Sequence, residues 1–224
     1  MLEQEVLNSI SYWKEFYKNV EPKKVTGKKI SNKLFNEIAL TLYNEDDFVY
    51  DFGAGDGWGL FELFFTKPYK EGIGSDTNYN AISLAAEIAK LSGFEHRIFF
   101  GLIDINAFQE NVIQAIFSSN TLDVINDISL EETLKGFDKA LKKEGKILIS
   151  LNPYISKEQA KSYGWEEKSP NKYYVGDALV RFNRTNEEWI NIFNKRFKVV
   201  KTGEWQKDDD EKDYIRRLFL LERK

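Results

Sequence analysis

The chain contains no cysteine among its 224 residues. Disulfides, a thiolate nucleophile and a cysteine-based zinc site are therefore excluded, and a reducing cytoplasm suits such a sequence. Histidine occurs once. It is His96, at the predicted start of a strand, away from the strand end where ligands bind in α/β sheets, so it reads as structural rather than catalytic. No run of about 18 uncharged apolar residues is present, so no membrane span is implied. The opening MLEQEVLNSI carries early acids and lacks a basic region ahead of an apolar core, unlike a secretory signal. An excess of positive charge is also missing. The formal net charge is −4, which weighs against strong nonspecific nucleic-acid binding. Internal repeats, low-complexity segments and Pro/Gly linkers are absent. What remains, 42% hydrophobic and 30% charged residues over this length, fits one α/β domain spanning residues 1–224.

The chain is organised around residues 47–59, DFVYDFGAGDGWG. The apolar run Phe48-Val49-Tyr50 ends at Asp51, glycines follow at Gly53, Gly55, Gly57 and Gly59, and Leu60–Phe64 reads as helix. A strand, a glycine-rich turn and a helix in that order bring backbone N–H groups close to a ligand. A dinucleotide fingerprint is not completed, since Leu60 takes the last glycine position counted from Gly55, and the Gly-Lys-Ser/Thr of a phosphate loop is absent. A second short strand, Gly72 to Asp76, ends on an acid about 20 residues past the glycines, where a βαβ unit places the carboxylate that holds ribose hydroxyls. The competing reading of Asp76 is the N-cap of the next helix.

The pattern Asp51-x-Gly53-x-Gly55-x-Gly57 resembles motif I of the class I S-adenosylmethionine-dependent methyltransferases. The resemblance is good over about residues 30–152 and general elsewhere. It implies an α/β three-layer sandwich with a seven-stranded, mostly parallel sheet in the order 3-2-1-4-5-7-6, strand 7 antiparallel, preceded by an N-terminal helical extension. Alternating βα units independently predict a mostly parallel sheet. The resemblance further implies S-adenosylmethionine as cofactor, S-adenosylhomocysteine as product, and no metal. Its cofactor-binding residues would be Asp51, Gly53, Ala54, Gly55, Gly57, Asp76 and Thr77. Asp104, past the third strand (96–101), would meet the adenine amino group, with Ile105 near the ring face. Ser119 and Asn120 would lie at the ligand end of the fourth strand (114–119). That strand opens with Gln114 where many relatives have Asp, a departure at the end away from the ligand.

Around this centre, residues 2–19 read as an amphipathic helix with Val6, Ile10, Trp13 and Tyr17 on one face. That face either packs on the domain or, as in the family resembled, covers the site as a lid; residues 1–29 form this extension. Lysines cluster from Lys14 to Lys33, but Glu15 and Glu21 interrupt them and no arginine joins them, so a solvated face is favoured over a nucleic-acid surface. Capping boxes are read at Ser129-x-x-Glu132 and Thr185-x-x-Glu188. Residues 152–184 form a long aromatic insertion, and such loops usually have a function. Tyr154, Tyr173, Tyr174 and Arg181, with Tyr17, are the substrate-side candidates. Asp208-Asp209-Asp210-Glu211 reads as a solvated hairpin tip, not a calcium loop. The expected reaction is methyl transfer to an unidentified acceptor, a small molecule or protein. RNA is the alternative acceptor, and a cofactor-binding protein without catalysis is a third reading. No residue stands out as a base.

Overall fold

The computed structural model describes residues 2–224, with side chains described from residue 4. The helices are α1 (Leu2–Tyr17), α2 (Lys33–Leu40), α3 (Trp58–Thr66), α4 (Tyr79–Ser92), α5 (Asp127–Ala140), α6 (Lys157–Ser162) and α7 (Asn186–Phe193). The strands are β1 (Phe48–Phe52), β2 (Glu71–Ser75), β3 (Ile98–Gly101), β4 (Ile113–Ser119), β5 (Leu141–Leu151), β6 (Glu166–Ser169), β7 (Lys172–Val175), β8 (Ala178–Phe182), β9 (Phe197–Trp205) and β10 (Arg216–Arg223).

Continuous apolar runs make the central strands, because helices cover the sheet on both faces and both sets of alternating side chains are buried. In β4, Ala115 and Phe117 enter one core while Ile113 and Ile116 enter the other. In β10, Leu218 and Leu220 alternate with Phe219 and Leu221 in the same way. α2, α3 and α4 supply the first core, α5 and α7 the second. The sheet has seven strands in the order β3-β2-β1-β4-β5-β10-β9. Its first five strands pair in parallel, and β10 runs antiparallel to both β5 and β9. This is the order the sequence suggests, with β9 and β10 as its sixth and seventh strands. The carboxyl ends of β1, β2, β4, β5 and β9 consequently share one edge with the start of β10.

Three local expectations change. The insertion 152–184 is not an open loop but α6 followed by a three-stranded antiparallel sheet, β6-β7-β8, because its aromatic residues bury one another around Ile155, Ala160 and Tyr173. Ser129 does not cap α5. The helix starts earlier, and Asn126 accepts the Ser129 N–H at 2.9 Å. The acidic run is solvated at Asp208, Asp209 and Glu211 as expected but is also tied down, since Asp208 accepts from Ser31 N–H and Oγ at 2.9 and 2.7 Å and Asp210 pairs with the buried Arg216.

The Thr185 capping box is formed as read. Thr185 Oγ1 accepts the Glu188 N–H at 3.2 Å, and Glu188 Oε2 accepts the Thr185 N–H at 2.7 Å. The helix it starts buries Trp189 and Phe193. Thr185→Ala is expected to cost about 1 kcal/mol in urea unfolding while leaving ligand affinity alone. An unchanged midpoint would show that the cap is dispensable.

Candidate active site

The glycine turn is held from below and from the side. Gly53 and Gly55 have φ of +71° and +56°. A Cβ at Gly53 would lie 2.2 Å from Thr121 Oγ1, and one at Gly55 would lie 2.5 Å from the Tyr17 hydroxyl. The turn is thus pressed between the loop after β4 and the end of α1, and only glycine fits there. The Ala54 N–H donates to the Ser75 carbonyl at 2.8 Å, tying the turn to the end of β2. Asp51, 2% exposed, lies under the turn, with one carboxylate oxygen against Gly59.

Asp76 stands beside the turn. One carboxylate oxygen accepts the Gly55 N–H at 3.0 Å and the other accepts the Asn78 N–H at 2.9 Å. The N-cap of α4 is Asn78, whose side chain accepts the Asn80 N–H at 3.0 Å, so the competing role for Asp76 is taken. An ionised carboxylate has about four lone-pair positions, so capacity remains for two further donors. Burial raises the Asp76 carboxyl above its ordinary value against the pull of its backbone donors.

The Asp51 carboxyl is raised well above the ordinary range, by burial first and then by Asp76 and Asp56. A carboxyl raised in the folded state stabilises the fold at acid pH, and this contribution is lost as pH rises through the raised value. Asp51→Asn is therefore expected to raise the melting temperature at pH 8, by about 2–4 °C per kcal/mol regained, with the gain shrinking toward pH 4. A gain independent of pH would assign the effect to something other than this charge.

These parts open into one cavity of about 1280 Å³ along the carboxyl edge of the sheet. Gly53, Ala54, Gly55, Asp76, Thr77, Asp104, Ile105, Ser119 and Asn120 line it, with the Tyr17 hydroxyl against Gly55 on the cofactor side rather than the substrate side, and Tyr154 and Arg181 also lie on its wall. Asp51 and Gly57 are not on its wall. Tyr173 and Tyr174 also lie outside it, contrary to the substrate-side expectation. Tyr173 is buried against Ile155 and Ala160, and the Tyr174 hydroxyl donates to Glu5. Asp104 caps the 3₁₀ turn Ile105–Ala107, accepting from Asn106 N–H at 2.9 Å. Asn120 adopts a left-handed φ of 56°, and its side-chain oxygen is buried without a partner, as is Ser119 Oγ. Unpartnered polar atoms on the wall of a cavity are what a polar ligand would satisfy.

α1 forms the roof. Trp13, Phe16 and Tyr17 pack edge to face and line the cavity. Burial raises the Tyr17 hydroxyl, with Asp56 and Asp76 adding to it, so the phenol stays protonated. The roof is sewn to the insertion. Ser9 Oγ donates to the Leu179 carbonyl at 3.3 Å and accepts the Leu179 N–H at 3.1 Å. Arg181, 5% exposed, donates to the Pro153 carbonyl at 3.0 Å and stacks over Trp165.

Some wall residues were not singled out from sequence, chiefly Lys207, Tyr214, Asn152 and Tyr163. The signal for the first two was available. An antiparallel seventh strand puts the β9–β10 connection at the ligand edge. His96 lies in the turn before β3, at the opposite edge, largely exposed beside Glu95. Among the described residues, no group of three His, Cys, Asp or Glu is arranged to hold a metal, and no helix is long and apolar enough to cross a membrane.

The strand order, the glycine turn after β1 and the acid after β2 together define the class I, Rossmann-like methyltransferase fold. The chain belongs to the methyltransferase-domain family, whose model matches residues 44–205. A protein-lysine N-methyltransferase of Saccharomyces cerevisiae is 26% identical over 144 residues, 59% of this chain and 63% of that protein. A tRNA N(3)-methylcytidine methyltransferase of Schizosaccharomyces pombe is 23% identical over 209 residues, 86% of this chain and 65% of that protein. The chain thus matches less than two thirds of either relative's length. In three dimensions it is similar to geranyl diphosphate C-methyltransferase from Streptomyces coelicolor, solved with Mg2+, geranyl diphosphate and S-adenosyl-L-homocysteine. The TM-score is 0.66 at 8% identity, over 96% of this chain and 98% of that one; at such identity the likeness concerns the fold.

Proposed function

We propose that this chain transfers the methyl group of S-adenosylmethionine to a small-molecule acceptor held in the same cavity. The observation that carries the reading is the size of that cavity. At about 1280 Å³ it exceeds the roughly 300–1,000 Å³ of a single ligand site. Its two ends differ, the glycine turn and acids at one and aromatic side chains with Arg181 at the other. The seam between α1 and β8 roofs both.

The residues fit the cofactor. The unpartnered Ser119 Oγ and Asn120 Oδ1, the turn with no room for a Cβ and the spare acceptor capacity of Asp76 suit a polar nucleoside with an amino-acid tail. When bound, S-adenosylmethionine supplies a sulfonium methyl for in-line displacement. Asp76 would accept the ribose hydroxyls, Asp104 the adenine amino group, and Ile105 would sit against the ring. The aromatic roof makes part of the cavity wall apolar, which favours a reaction that discharges a cation. The chain's main contribution is orientation, with effective molarities on the order of 10⁵ M or more.

Of the seven lysines of the 14–33 segment, Lys18 pairs with Glu15 at 3.2 Å just past the end of α1 and Lys33 with Glu37 at 3.7 Å along α2; the acidic balance of the chain, not these pairs, weighs against RNA. The test is transfer of radiolabelled methyl from the cofactor into fractions of a cell extract. Label in the small-molecule fraction is expected. Label only in the protein or the RNA fraction would overturn the acceptor class, and no label in any fraction despite tight cofactor binding would point to a protein without catalysis.

A further inference from the structure

Lys207 follows β9 at the ligand edge of the sheet and lines the cavity. Its position is built. The Lys207 N–H donates to Asp210 Oδ2 at 2.7 Å, and Asp210 is clamped by Arg216, whose Nη2 donates to Oδ1 at 3.0 Å. The neighbouring Asp208 is tied to Ser31, and Gln206 Nε2 donates to the Glu211 and Lys212 carbonyls at 2.6 and 3.0 Å. The acidic run is therefore a clasp that sets the lysine in place. The Lys207 ammonium lies 3.7 Å from the centre of the Trp58 ring, on the first residue of the helix that follows the glycine turn.

That ammonium makes no ion pair or hydrogen bond with any described residue. Asp56 from the turn and Asp209 and Asp210 from its own loop act on it only at a distance, while Arg216 of β10 repels it. The exposed Glu211 and Asp213 on the cavity wall make no ion pair with it. Arg181 is the only other cation lining the cavity among the described residues, and it already faces Asp123 at 3.9 Å. A half-buried cation held over a ring in a cavity with no carboxylate in contact is costly unless an anion arrives there.

We propose that Lys207 is the anion-binding residue of this cavity and pairs with a carboxylate, supplied either by the amino-acid end of the cofactor or by the acceptor. The inference rests on the methyltransferase reading above. Burial, with repulsion from Arg216, lowers the Lys207 amine to about 8, and a bound carboxylate raises it again.

The test compares wild type with Lys207→Met, which keeps a stem of similar length over Trp58 and removes the charge. Calorimetry with S-adenosylhomocysteine and with 5′-methylthioadenosine, which lacks the amino-acid end, reads the first source. A loss of about tenfold to a hundredfold for the former alone assigns the carboxylate to the cofactor, the range for a lost hydrogen bond between charged groups. Benzoate and neutral benzamide, titrated onto protein saturated with S-adenosylhomocysteine, read the second. A loss for benzoate alone assigns the carboxylate to the acceptor. NMR of the wild-type Lys207 amine needs no variant, and its titration is expected to move upward with whichever carboxylate binds. Affinities unchanged in Lys207→Met, with an unmoved titration, overturn the proposal. Wild type that fails to bind S-adenosylhomocysteine overturns the underlying reading instead, and benzoate and benzamide titrated onto the free protein then judge Lys207 alone.

Discussion

Asp76→Ala is expected to weaken S-adenosylhomocysteine binding by about 10²- to 10⁴-fold in titration calorimetry. The figure assumes two ribose hydroxyls donating to one carboxylate, each charged hydrogen bond worth about 1.5–3 kcal/mol, at 1.4 kcal/mol per decade. The same substitution also removes the acceptors of the Gly55 and Asn78 N–H groups, which loosens the turn. That loss is offset, because an alanine has no buried charge to desolvate at neutral pH. Stability should thus change little while affinity collapses. Asp76→Asn keeps an acceptor but no charge and should fall between. Unchanged affinity in Asp76→Ala would remove this carboxylate from the site.

Gly53→Ala acts on the fold and the site together. Its φ of +71° costs a non-glycine residue about 1–2 kcal/mol. The new methyl would meet Thr121 Oγ1 at 2.2 Å, and overpacking of this kind costs about 1–3 kcal/mol more. Thr121 cannot yield freely, since its hydroxyl donates to the carbonyls of Gly53 and Ser119 at 3.3 and 3.1 Å. Pushing it aside shifts the loop that carries Ser119 and Asn120. The expected result is a stability loss of about 2–5 kcal/mol in urea unfolding, with cofactor affinity reduced in the fraction that folds. Adding Thr121→Gly should restore the steric part and leave the backbone part. A double variant no better than the single one would show that Thr121 is not the obstacle.

The sheet was legible because its signals are local and repeat. Apolar runs such as Lys146–Leu151, each followed or preceded by a helical stripe, specify parallel strands, and the glycines and Asp76 fall at fixed distances within one βαβ unit. The roof was less legible. That Trp13 and Tyr17 share a helix face follows from spacing, but that Ser9 of this helix bonds Leu179 joins residues 170 apart in sequence, and no local pattern carries that. Tyr173 and Tyr174 misled for a related reason. Composition marked the insertion as aromatic, but the pairing of β7 with β6 and β8 decides which rings face the cavity and which fill a small core of their own. The acidic run 208–211 was read by composition as a solvated tip, which its exposure supports, but its ties were not foreseen. Its partners, Ser31 and Arg216, come from other elements, and only the folded chain brings them together.

Because spent cofactor and methylated acceptor would lie under one roof, a single movement would release both. The seam that must part consists of a few hydrogen bonds between α1 and the insertion, each worth about 0.5–1.5 kcal/mol net. Lids of this kind open on microsecond to millisecond timescales, and in many enzymes such opening, not chemistry, limits turnover. For this chain the catalytic cycle would then be timed by the parting of that seam, with the residence time of S-adenosylhomocysteine as its clock.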